Sequence, residues 1–151
     1  MSMWEDLRLG YTESQGHPEL RGAVAEMYEG IEADDVLVVV PEEGIFLLMN
    51  ALLNPGDHVI CTFPGYQSLY EIARANGCEL SMWEPDENRG WHFDVARLEE
   101  LMRPDTRLVV VNTPHNPTGS LMSRDDFESV VSLVQQRGVL LLSDEDQKSV
   151  V

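Results

Sequence analysis

A chain of 151 residues, 43% hydrophobic and 25% charged, can bury a core without disulfide or metal staples. Its 27 acidic against 10 basic residues give a formal net charge of −17, which argues against nucleic acid and anionic membrane surfaces as partners. Cys61 inside an apolar run and Cys78 after a glycine fit reduced thiols, no apolar run approaches the ~18 residues of a membrane span, and Met1 to Asp6 is not a signal peptide, so a cytoplasmic location is expected.

Helix-like and strand-like periods alternate along the chain. Pro18 to Tyr28 predicts a helix with Leu20, Val24 and Met27 on one face. Val36 to Val40 is a continuous, mostly β-branched run, the pattern of a strand covered on both faces. Pro41 then opens a helix through Leu53, and Asn54-Pro55-Gly56-Asp57 turns the chain. His58 to Phe63 predicts a strand, Tyr66 to Asn76 a helix closed by Gly77, and Glu79 to Trp83 a short strand. Asp94 caps a helix through Met102, and Arg107 to Asn112 is a strand. Ser123 caps a helix to Gln136, and Gly138 precedes a strand from Val139 to Leu142. This order predicts a single three-layer α/β domain, a mostly parallel sheet with helices on both faces.

In such sheets ligands bind beyond the carboxyl ends of strands. Four groups lie at predicted ends: Pro41-Glu42-Glu43, Pro64-Gly65-Tyr66, Asn112 to Gly119, and Asp144. Turns alone also place Gly, Pro, Asn and Asp at strand ends, so the recurrence on one rim carries more weight than any single group. His17, His58, His92 and His115 have no metal-ligand spacing, and no metal site is expected.

Six segments, in order, resemble the fold-type I aminotransferases that use pyridoxal 5'-phosphate. They are Gly10-Tyr11 with Gly16-His17-Pro18-Glu19-Leu20-Arg21, then Pro41-Glu42-Glu43-Gly44-Ile45-Phe46 and Asn54-Pro55-Gly56-Asp57-His58-Val59-Ile60. Pro64-Gly65-Tyr66, Pro114-His115-Asn116-Pro117-Thr118-Gly119 and Ser143-Asp144-Glu145 complete the series. The Pro-Glu-Glu-Gly-Ile-Phe variant is also similar to the subgroup containing capreomycidine synthase. The resemblance implies that residues 1–145 are part of the large, cofactor-binding domain with its N-terminal arm, followed by an atypical tail at 146–151.

By the same resemblance Asp144 pairs with the pyridine nitrogen, Asn116 hydrogen-bonds the ring hydroxyl and Tyr66 stacks on the ring. Glu42 and Glu43 open the helix whose N-terminus receives the phosphate, and Tyr11 reaches the phosphate of a neighbouring subunit, so a homo-oligomer is expected. Plain structural roles compete at each position: a strand-end acid, an Asn-Pro turn, a half-buried tyrosine, acids favoured by a helix dipole, an aromatic in an arm.

The sequence departs from the family at Gln147, where a tyrosine is usual, and at Pro41, which removes a backbone donor. The only lysine is Lys148, in the polar tail, and not where the family carries its Schiff-base lysine. The expectation is therefore a truncated aminotransferase-like chain whose parent activity is amino transfer on an amino acid, without a catalytic residue of its own. The alternatives are a non-catalytic ligand-binding module or a structural protein derived from an aminotransferase gene.

Overall fold

Residues 10–11 and 13–145 are described by the computed structural model; Lys148 and the tail expected at 146–151 lie outside them. Two compact units divide the chain, Met1–Gly44 and Ile45–Val151.

The second unit holds a four-stranded parallel sheet built from the predicted apolar runs. β1 (His58–Thr62), β2 (Glu79–Trp83), β3 (Thr106–Asn112) and β4 (Leu140–Asp144) lie in the order β2-β1-β3-β4. The period of two along each strand sorts side chains into two cores. Val59, Cys61, Leu108 and Val110 pack with Met49 of α2 (Pro41–Leu52) and with Leu69 and Ala73 of α3 (Ser68–Ala75). Ile60, Val109 and Val111 pack on the opposite side with Leu98 of α4 (Val95–Leu101) and Val130 and Val134 of α5 (Arg124–Arg137). Helices thus cover both faces, as the alternating pattern predicts.

Local chemistry fixes the helix ends. Asp94 Oδ1 accepts from the Ala96 N–H at 3.0 Å and Ser123 Oγ from the Asp126 N–H at 3.1 Å, so both predicted caps are formed. Gly138 follows α5 at φ +66°, the left-handed conformation that ends a helix at least cost in a residue without Cβ. Most boundaries in this unit lie within one residue of expectation, and two move by two residues. α3 begins at Ser68, leaving Tyr66 in the turn before it, and β4 extends to Asp144, which becomes a ladder residue paired with Asn112.

In the first unit two expectations fail. α1 (Pro18–Ala25) ends three residues before Tyr28, and its buried side chains are Arg21 and Ala25, while Leu20 and Met27 are exposed. The guanidinium explains the switch. Arg21 Nε donates to the carbonyls of Ala33 and Val36 at 2.9 and 3.0 Å, and Nη2 donates to Ala33 at 2.6 Å and to Asp34 Oδ1 at 2.7 Å. A buried cation with its donors so occupied is tolerated where an unpaired one is not. Secondly, Val36 to Val40 forms no strand. Val38 N–H bonds the Gln15 carbonyl at 2.9 Å, but no described strand flanks the run, and Leu37, Val38 and Val40 are exposed rather than covered.

Candidate functional site

The chain order of the sheet sets where a ligand would lie. From β1 the connection leads outward to β2, and β3 then lies on the other side of β1, so the topology reverses between β1 and β3. Loops leaving neighbouring strands in opposite directions open a crevice at their carboxyl ends. Pro64-Gly65-Tyr66 follows β1 there and Thr113 to Gly119 follows β3.

A Cβ on Gly65 would sit 2.9 Å from the Thr62 carbonyl, so glycine permits a tight turn after β1 that alanine would strain, and 4.0 Å, an ordinary contact, from the Asn116 carbonyl of the β3 loop. Tyr66 follows at 38% exposure. The β3 loop folds on itself: His115 N–H bonds the Ser120 carbonyl at 2.8 Å and Gly119 N–H the His115 carbonyl at 2.7 Å. His115 Nδ1 meets Thr118 Oγ1 at 2.7 Å, and its ring stands edge-on to Phe93.

Asn112 joins this loop to Asp144. Its Nδ2 donates to the Asp144 carbonyl at 3.2 Å and to Asp144 Oδ2 at 3.0 Å, while its Oδ1 accepts from the Asn116 N–H at 2.6 Å. Thr113 N–H also bonds the Asp144 carbonyl, at 3.0 Å. Asn116 and Asp144, singled out in the sequence, are therefore joined through Asn112, and the turn that carries Tyr66 approaches the Asn116 loop at Gly65. Asn112 and His115 fall within the rim group Asn112 to Gly119 expected from the sequence, where neither has an assigned role of its own. The signal for Asn112 was present: a lone amide ends a run of Leu108-Val109-Val110-Val111.

His115 is buried, and burial pushes its pKa below the usual histidine range, against the opposing influence of the Pro64 carbonyl. Among the described residues His115 Nε2 and Thr113 Oγ1 meet no hydrogen-bond partner. Two orphaned buried polar atoms in one loop are uncommon in a finished core and cluster where ligands or water complete a site.

The other three candidates belong to the first unit. Glu42 and Glu43 are exposed in the first turn of α2, where the helix dipole favours them and where they oppose an anion. Tyr11 is fully exposed.

A family model, Aminotransferase class I and II, matches residues 5–145. The chain belongs to this family. Among curated aminotransferases it is 32% identical over 144 residues to the aspartate aminotransferase of Sulfurisphaera tokodaii, covering 90% of this chain and 36% of that protein. It is 30% identical over 141 residues to the tyrosine aminotransferase of Mus musculus, covering 90% of this chain and 31% of that one. A PLP-dependent aminotransferase of known structure from Streptococcus suis superposes with a TM-score of 0.89 at 33% identity, over 99% of this chain and 40% of the other. The chain thus spans about a third of the length of the curated aminotransferases it matches. These relatives are named for different amino acids, and the narrower likeness to capreomycidine synthase finds no support among them.

The family's cofactor, pyridoxal 5'-phosphate, is a flat ring with a basic nitrogen, a hydroxyl and a phosphate. The ring end suits the rim, which offers a carboxylate, an amide and a partly exposed tyrosine, with polar atoms lacking partners among the described residues in the same loop. The phosphate end does not suit Glu42 and Glu43, whose charges repel an anion at the helix N-terminus.

Proposed function

We propose that this chain carries the ring-holding part of a pyridoxal-phosphate site in an aminotransferase, whose parent activity is amino transfer on an amino acid. One observation carries the reading: Asn112 fastens the Asp144 carboxylate and the Asn116 loop to each other at the carboxyl ends of β3 and β4, next to the topological switch point between β1 and β3. When bound, the cofactor supplies an electron sink for a carbanion formed next to the amino group.

The chain's own residues have separate tasks. The Asp144 carboxylate holds the ring nitrogen protonated, because an anion beside it favours the charged form. Asn116 orients the ring through its hydroxyl, and Tyr66 shields one ring face from water while Gly65 lets its loop close. Neither Glu42 and Glu43 nor Tyr11 has support beyond the resemblance, which assigns the two acids to the helix that receives the phosphate and Tyr11 to another copy. The exposed Phe46, Leu47 and Leu48 of α2 support association of copies.

A second reading, binding without turnover, is favoured by the basic residues themselves. Among the described residues these are arginines and histidines, and the chain's one lysine is Lys148. Calorimetric titration of the purified chain with pyridoxal phosphate tests both readings. Saturable binding is expected, and Asp144→Ala should weaken it by about ten-fold or more, the scale of a charge-assisted hydrogen bond. Borohydride treatment followed by mass spectrometry should leave Lys148 unmodified. An adduct on Lys148 would favour a self-sufficient catalyst, and no saturable binding would remove both readings.

A further inference from the structure

We propose that Asn112 is a positioning residue that holds the Asp144 carboxylate and the Asn116 loop at one fixed spacing, a role that rests on reading those two as ring contacts. Asn112 ends β3 and is only 5% exposed. Leu108 to Val111, the four residues before it, are apolar and buried, so an amide here carries a desolvation cost that another valine would avoid. Its bonds offset that cost only because both ends of the amide are used: Nδ2 toward the carbonyl and Oδ2 of Asp144, Oδ1 toward the Asn116 N–H. The Asn112 N–H in turn reaches Thr62 Oγ1 of β1 at 3.3 Å, which ties the same residue to the strand that feeds the Tyr66 loop.

The residue type follows from this two-sided task. A carboxylate at 112 would keep the acceptor for Asn116 but would lose the donors and set a second negative charge against Asp144. A leucine of similar size would lose both functions. A hydroxyl is too short to span both partners. Asparagine offers donor and acceptor at one end of a short side chain, and thereby couples the group facing the ring nitrogen to the loop facing the ring hydroxyl.

The test uses the 151-residue chain with Asn112→Asp and Asn112→Leu, beside the wild type and Asp144→Asn. Two quantities are read: hydrogen exchange of the Asn116 N–H without cofactor, and affinity for pyridoxal phosphate. Asn112→Leu should accelerate that exchange about ten-fold or more, and Asn112→Asp should preserve protection because the acceptor oxygen remains. Both variants should lose about ten-fold or more in affinity, as Asp144→Asn does. A role confined to stability would lower the melting temperature without the split in exchange between the two variants. The proposal is overturned if Asn112→Asp binds as the wild type does, or if Asn112→Leu leaves the Asn116 N–H protected. Failure of the wild type to bind at all would instead overturn the ring-contact reading, whatever the exchange pattern.

Discussion

At the amino ends of the strands, opposite the rim, His58 shows how one polar residue is accommodated inside an apolar sheet. It is fully buried, with Nδ1 at 2.7 Å from Thr106 Oγ1 and Nε2 at 2.8 Å from Ser81 Oγ. Burial pushes its pKa down, Arg103 adds to the shift, and Asp105 and Glu79 oppose it. The folded chain therefore prefers the neutral imidazole, while the unfolded chain takes up a proton near the ordinary histidine value of about 6.5. Below that pH the unfolded state binds more protons, so His58's contribution is intact above about 6.5 and is lost as pH falls beneath it. Burial shifts His115 in the same direction. Urea midpoints at pH 7.5 and 5.5 should show a loss on acidification that is smaller in His58→Gln. An unchanged pH dependence in that variant would mean that His58 is not a source of it. Asn112 and His58 share a lesson about legibility. Each is a polar residue in or beside an apolar run, and which one belongs to a functional rim depends on partners 32 residues away for Asn112 to Asp144 and 48 away for His58 to Thr106. Spacing along the chain carries no trace of that.

The elements of the second unit were readable because their signals are local. Ser123 and Asp94 cap as their side chains dictate, glycines close the helices, and uninterrupted apolar runs specify strands buried on both faces. The first unit was less readable for the opposite reason. Apolar residues at helical spacing pointed to Leu20, Val24 and Met27, whereas the carbonyls of Ala33 and Val36 draw Arg21 inward and turn that face outward. Val36 to Val40 has strand composition, but composition cannot supply a neighbour. Beside the Val38 to Gln15 hydrogen bond, the run sets the Val38 side chain against Gly16, which lies at φ +101° where a Cβ would be 2.5 Å from Val38 Cβ. Gly16→Ala should therefore destabilise the first unit by roughly 1–3 kcal/mol, combining backbone strain with overpacking. Hydrogen exchange should show the loss in residues 16–38 while β1 to β4 keep their protection, and Val38→Ala should restore part of it. Equal loosening of the sheet would contradict the assignment to this contact.

For the whole molecule, a charge of −17 stands beside exposed apolar residues on α2 and two sheet edges, β2 and β4, among the described strands. Like charges resist association and apolar surface promotes it, so salt should shift the balance. Sedimentation velocity should show copies associating as concentration and ionic strength rise, and Phe46→Glu should reduce this; a monomer under all conditions would contradict the inferred association. Family membership rests on a match across residues 5–145, yet the chain covers only 36% of one aminotransferase relative and 31% of another. Whatever the remainder of such an enzyme contributes, the claim specific to this chain is that Tyr66, Asn116 and Asp144 form one cofactor-facing rim. Nuclear magnetic resonance of the isotope-labelled chain, titrated with pyridoxal phosphate, tests that claim most directly. Saturable shifts are expected, concentrated at residues 64–66, 112–119 and 143–145 and lost together in Asp144→Ala. Shifts confined to other surfaces, or none at saturating cofactor, would contradict it.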